Sequence, residues 1–201
     1  MEERMIKTGY TARRLLAQDL PLLEGWLAGR LSANARFSYS QLACQQREGG
    51  WYGLFLGRRL CAAALFLPLA ARCVPARGLY LSGRRTGGLL LPVWTEAAKP
   101  ALAGFLSFVQ DCAGERAALF LLPVKNGGLE LFLAPGMLLT GLCPLWKLTP
   151  CWLLEPGSAG GSGRLFLPVS DSLRTGKALA EGWRGAAVQN GLLLMERALP
   201  E

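Results

Sequence analysis

The stretch Ala117–Met137, AALFLLPVKNGGLELFLAPGM, constrains the fold more than any other part of the chain. Its first half, Ala117–Val124, is a continuous apolar run of strand length, bounded by Pro123 and the turn pair Asn126-Gly127. Such a run reads as a strand buried on both faces. In the second half, Leu129, Leu131, Phe132 and Leu133 predict a short apolar helix over Gly127–Ala134, stopped by Pro135 and a C-cap glycine, Gly136. Upstream, Thr95–Arg116 carries a longer helical pattern. Long helix, strand, tight turn and short helix make the second half of an α/β unit, with a ligand crevice at the strand's C-terminal end.

The rest of the chain supplies the first half. Thr11–Leu16 reads as a strand. Asp19 then caps a helix with Pro21 in its first turn and Leu22, Leu23, Trp26 and Leu27 on one face. Ser38 or Ser40 caps a second helix reaching Glu48, with Tyr39, Leu42 and Ala43 inward, and Gly49-Gly50 ends it. Trp51–Leu56 and Leu60–Leu67 form a hairpin across Gly57-Arg58-Arg59. The second of these strands is thinned by Ala62, Ala63 and Ala64, which suits a closely packed helix. Leu79–Leu81 and Leu89–Leu91 flank a glycine-rich break and predict either a third hairpin or an interrupted strand. Leu138–Leu148 is a further strand. Within 151–163, the run EPGSAGGSG at Glu155–Gly163 is the clearest linker signal. Beyond it a strand (Arg164–Val169), a capped helix (Asp171–Gly182) and a strand (Gly191–Arg197) are too short for a core of their own. They are expected to pack on the preceding domain.

Composition narrows the class. A chain of 201 residues with 51% apolar residues can bury one full core. No apolar run reaches the roughly 18 residues needed to cross a bilayer, and the opening MEERMIKTGY has no signal-peptide core, so a cytoplasmic protein is expected. The six cysteines lack C-x-x-C spacing and the chain has no histidine. They read as free thiols filling the core, with no metal site, and Ser-His and Cys-His mechanisms are excluded. The net charge of +8 arrives as arginine pairs: Arg13-Arg14, Arg58-Arg59 and Arg84-Arg85. No aromatic-interleaved basic motif accompanies them, which argues against nucleic acid and for a solvated cationic surface or a phosphate-bearing ligand.

The run LFLLPVKNGGLELFLAPGM resembles the end of a GNAT-type N-acetyltransferase domain, in which members read L-P-A-N-E-G-L-x-x-F-Y-E-K-x-G-F. From Pro123 the match has no gap. Gly127 falls on the glycine, Lys125 on the usual asparagine, Phe132 on the tyrosine, Gly136 on the second glycine and Met137 on the final aromatic. The order of elements is also that of the GNAT fold. The resemblance covers about residues 10–150. It implies an α/β fold, a GNAT-like mixed sheet flanked by helices, with 151–163 as linker and 164–201 as a short C-terminal αβ extension. It further implies acyl transfer from acetyl-CoA to a small-molecule or peptide amine.

The resemblance also points to residues. The family binds its cofactor through P-x-x-R-G-x-G before the long helix. Counted back from Pro123, this falls on Pro92-Val93-Trp94-Thr95-Glu96-Ala97-Ala98, so Trp94, Thr95, Glu96, Ala97 and Ala98 occupy the cofactor position. The arginine has become Thr95 and the first glycine Glu96. Glu96 puts negative charge where the family receives a pyrophosphate, and Thr95-Glu96-Ala97 equally suits a capped, ordinary helix start. A second phosphate candidate is local: Ser82–Gly88 offers glycine N–H groups with Arg84 and Arg85, although a plain turn explains the same residues. The family's general acid, a tyrosine, is Phe132 here and has no proton to give. Lys125 reads as a solvated turn lysine, and Glu130 and Asp111 are candidate acids for deprotonating an amine. These substitutions leave two expectations, an acyl-CoA-dependent N-acyltransferase with altered cofactor and acid positions, or a catalytically inactive GNAT-like binding or regulatory module.

Overall fold

The computed structural model describes residues 3–31, 38–69, 87–133, 136–145, 149–157, 160, 161 and 163–197. A hairpin opens the chain: β1 (Glu3–Lys7) turns at Gly9 into β2 (Tyr10–Arg14). Helices α1 (Leu20–Ala28) and α2 (Tyr39–Glu48) follow, then the hairpin β3 (Gly50–Leu56) and β4 (Arg59–Pro68), and the strand β5 (Gly88–Trp94). A 3-10 turn over Glu96–Ala101 leads into α3 (Leu102–Ala113) and then β6 (Ala117–Pro123). Last come β7 (Met137–Leu145), β8 (Thr149–Pro156), β9 (Arg164–Pro168), α4 (Ser172–Ala180), β10 (Trp183–Gln189) and β11 (Leu192–Arg197).

Among the described residues the strands join one mixed sheet in the order β1-β2-β3-β4-β5-β6-β8-β7-β10-β11-β9. The pairings are antiparallel except β5 with β6, which is parallel. Period-two alternation along the central strands feeds two cores, one on each face. Ala62, Ala64, Phe66, Leu90 and Trp94 face Leu102, Phe105, Phe108 and Val109 of α3. Ala63, Leu65, Leu67, Leu89, Leu91 and Val93 face Leu20, Leu23 and Leu27 of α1 and Leu42 of α2. Each of these large side chains, fully buried, contributes about 1.5–3 kcal/mol. The alanines of β4 let α3 lie close to the sheet, as its sequence predicts.

Ser38 does cap α2, accepting from the Gln41 N–H while the Gln41 side chain returns to the Ser38 N–H. Tyr39, expected inward, is exposed. Asp19 caps nothing at α1: its carboxylate takes two hydrogen bonds from Arg13 and one from the Leu16 N–H. Leu22 turns outward, and Leu20 takes its place in the core.

Three expectations change more deeply. The long helix does not run from Thr95: α3 starts at Leu102, because Pro100 lacks an N–H and suits only a helix's first turn. In place of the helix expected over Gly127–Ala134 there is a single 3-10 turn, Leu129–Leu131, preceded by another at Val124–Asn126. Gly127 and Gly128 divide them with φ of +64° and +75°, which no helix accepts. The strand β8 includes Cys151–Pro156, so the first part of the 151–163 run is held between β6 and β7. Leu79–Leu81 lies outside the described residues.

Beyond β8 the extension continues the sheet. β10 meets β7 at Gly185↔Leu139, and a Cβ at Gly185 would stand 2.8 Å from the Leu139 Cβ, so only glycine permits that approach. α4 is capped by Asp171, which accepts from the Arg174 N–H, and covers the face that α3 occupies further along.

Candidate functional site

The parallel pair β5–β6 holds register only over Gly88↔Ala117, Leu89↔Leu119 and Leu90↔Phe120. From there β5 stays with β4 up to Ala62↔Trp94, while β6 turns to β8 from Phe120↔Leu154 to Pro123↔Cys151. The two strands therefore part company at their C-terminal ends. Crevices of this kind, beyond the carboxyl ends of parallel strands, are where α/β sheets take ligands.

Trp94, the last residue of β5, stands at the parting. It is buried, at 4% exposure, and its ring lies 5.5 Å from that of Phe132, which in turn lies 6.0 Å from Phe120. Gly128 backs the indole: a Cβ there would sit 2.7 Å from Cζ2 of Trp94. Its Nε1 is buried and has no hydrogen-bond partner among the described residues. An orphaned buried donor costs on the order of 1–3 kcal/mol.

The other predicted cofactor residues follow in sequence. Thr95 donates both its N–H and its hydroxyl to the Cys61 carbonyl, at 2.9 and 3.1 Å, so it anchors the loop to β4 and does not cap a helix. The Glu96 side chain is 82% exposed and pairs with Lys99 at 2.9 Å. The Ala97 carbonyl accepts from the Tyr10 hydroxyl, which ties the N-terminal hairpin to this loop. Ala98 is fully buried and its N–H is engaged by the Thr95 carbonyl. Phe132 is buried against Trp94. Arg84 and Arg85 lie outside the described residues.

Lys99 is the residue that counting back from Pro123 passes over. It sits in the turn before α3, and its pKa is raised, chiefly by the hydrogen bond to Glu96, with Glu130 adding a smaller pull. The signal for it is Pro100, which cannot lie in a helix interior and so places the loop before α3 at Glu96–Ala101. Of the two candidate acids, Asp111 is bound to Arg4 at 2.8 Å and Glu130 is exposed. Lys125 is exposed as well. Among the described residues no group of histidine, cysteine or acidic side chains could hold a metal, and no helix is long and apolar enough to cross a membrane.

No family model matches the sequence, and no curated protein is significantly similar to it. Solved structures are similar. An uncharacterized protein (bh2621) from Bacillus halodurans has a TM-score of 0.50 at 7% identity, over 73% of this chain and 83% of that one. AAC(6')-Ib in complex with ribostamycin and coenzyme A has a TM-score of 0.48 at 13% identity, over 74% and 93%. Ard1 from Thermoplasma volcanium has a TM-score of 0.47 at 10% identity, over 74% and 97%. With hairpin, two helices, hairpin, strand, long helix and a parallel strand in that order, and one splayed parallel pair at the centre of the sheet, the chain has a GNAT-like fold.

Proposed function

We propose that this chain is a divergent GNAT-like protein that binds an acyl-CoA in the gap between β5 and β6 and transfers the acyl group to an amine. The observation that carries the reading is the parting of the parallel pair after Leu90↔Phe120, directly below the turn that leads into α3. In that gap the thioester arm would lie alongside the edge of β5, and the phosphates would meet the Glu96–Ala101 turn. The acyl-transfer unit spans about residues 10–150, widened by β1 and the remainder of β8, with 164–197 packed on the same sheet. The free thiols Cys44, Cys61, Cys112, Cys143 and Cys151 suit a reducing compartment such as the cytoplasm.

The machinery in this reading is altered in two places. The phosphate turn contains Pro100, which has no N–H, and the N–H groups of Thr95 and Ala98 are already engaged. Lys99 supplies a cation, partly offset by Glu96. Phe132 cannot protonate a departing thiolate, so transfer would proceed by direct attack of the amine with protons relayed by water. This second alteration favours an alternative: a GNAT-like module that binds an acyl-CoA without turning it over.

Two measurements separate these readings. Acetyl-CoA at a hundred times its dissociation constant should stabilise the protein by about 2.7 kcal/mol, a rise of roughly 5–11 °C in Tm for a chain of this size. Release of free CoA thiol in the presence of small-molecule or peptide amines would identify an enzyme. A thermal shift without thiol release would identify the binding module. No shift at millimolar acetyl-CoA would refute both. Glu96→Gln should change acetyl-CoA affinity by less than about threefold, because the carboxylate faces solvent and already has Lys99 as its partner. A large gain in affinity would mean that Glu96 swings into the phosphate turn.

A further inference from the structure

We propose that the indole N–H of Trp94 is a ligand-binding donor, serving a carbonyl oxygen of the acyl-pantetheine arm where β5 and β6 separate. The inference rests on the acyl-CoA reading and names a side chain that acts in it.

Two other indoles of this chain have hydrogen-bond partners. Trp26 donates to the Leu60 carbonyl at 2.9 Å, and the fully buried Trp51 donates to Oε1 of Gln45 at 3.1 Å. Trp94 is the contrast: 4% exposed, with Nε1 cut off from solvent and without a partner among the described residues. The ring is held by Phe132 on one side and by a glycine at 128 whose missing Cβ makes room for it, so the donor is not free to swing into water. Packing alone asks for an aromatic ring here, which phenylalanine would provide without leaving a polar atom stranded. A polar atom kept unsatisfied on a fixed ring, where the sheet opens, is matched by a ligand that brings the acceptor. The arm of an acyl-CoA carries two amide carbonyls and a thioester carbonyl and no strong charge, which suits a neutral donor in apolar surroundings.

The test pairs a variant with a signal from the native protein. Trp94→Phe keeps a ring and removes the N–H, and acetyl-CoA binding to both proteins is measured by calorimetry. In parallel, the indole N–H resonance of Trp94, identified by its loss in the variant, is followed by 15N-edited NMR as acetyl-CoA is added to native protein. The expected result is binding about tenfold weaker in the variant, together with a downfield shift of the Trp94 indole proton on binding. A smaller ring that merely loosened the site would weaken binding without that native-protein signature. If native protein binds acetyl-CoA, the variant binds within about twofold and the indole resonance stays put, the donor role is overturned while the acyl-CoA reading stands. If native protein does not bind acetyl-CoA, both are overturned. Should the variant fail to fold, the other indole resonances are assigned by their own substitutions, and the direction of the Trp94 shift in native protein decides.

Discussion

Gly128→Ala tests the placement of Trp94 independently of any ligand. Gly128 has φ +75° and ψ 20°, a left-handed conformation that costs an L-residue roughly 1–2 kcal/mol. The added methyl would also stand 2.7 Å from Cζ2 of Trp94, well inside contact distance. That ring is 4% exposed and backed by Phe132, so relief requires shifting a packed aromatic pair, and overpacking of this sort costs about 1–3 kcal/mol. The two contributions together predict a loss of about 2–5 kcal/mol, read from the midpoint of urea unfolding at unchanged slope. A chain of this size should lose on the order of 10 °C in Tm. The steric part is separable. In a Trp94→Phe background the shorter ring leaves room for the methyl, so the cost of Gly128→Ala should fall toward the backbone share alone. The coupling in this double-mutant cycle should then be about 1 kcal/mol or more. Equal costs in the two backgrounds would show that the indole does not lie against residue 128, and the donor role argued for Trp94 would lose its geometric basis.

Further outcomes follow from ionisable groups away from the gap. Asp19 takes two hydrogen bonds from Arg13, at 2.7 and 2.9 Å, and this pairing holds its carboxyl below the usual carboxylate range. A folded-state pKa below the unfolded one stabilises the fold above about pH 4 and loses that contribution as pH falls through the folded value. Asp19→Asn should therefore cost about 2 kcal/mol at pH 7, and the gap between the two proteins in unfolding experiments should close in acid; a gap that persists there would deny the pair its role. Burial pushes the Cys143 thiol up to about 11 and the Cys151 thiol further still. Both should resist iodoacetamide in native protein at pH 8, with Cys143 labelling rising between pH 9 and 11. Their contribution to stability, present below the unfolded thiol's pKa, should fade over the same range. Six thiols should titrate in denaturant without reductant. A count of four would point to a bond between Cys143 and Cys151, which face each other across β7 and β8.

The elements that could be read from sequence share a physical cause. β3, β4, β5 and β6 are runs whose burial shows on both faces, so their composition alone marks them. β1 does not show in the sequence because ERMIK lies largely exposed at the sheet edge, and its contacts, Ile6 against Gly104 and Arg4 over Phe108, are with α3 far along the chain. β10 does not show in the sequence because WRGAAVQ carries a glycine, yet that glycine is what admits Leu139. Cys151–Pro156 falls within the 151–163 expected as linker, but its membership of the sheet depends on β6 and β7, which lie on either side of it. In each case the deciding contact comes from a residue distant in the chain, and periodicity sees only neighbours.

The candidate site divides along the same line. Counting back from Pro123 reaches Trp94, because that count needs only the lengths of a helix and a strand. It passes over Lys99 because it assumes that the helix begins where the pattern begins, whereas Pro100 delays the α-helix to Leu102. The chemistry at the two positions also differs in how local it is. The charge of Glu96 looks hostile to a phosphate in sequence. In the fold it is answered by a lysine three residues on, within one turn, and it faces water. The indole of Trp94 falls at the cofactor position in sequence, but nothing in its own segment shows the state of its N–H. Its unsatisfied N–H is a property of everything packed around it, including Gly128 and Phe132 more than thirty residues later, and of nothing in its own segment. A polar atom left without a partner among the described residues, by so many independent contacts, is the feature of this gap that sequence cannot show, and it is the one on which recognition of a ligand would turn.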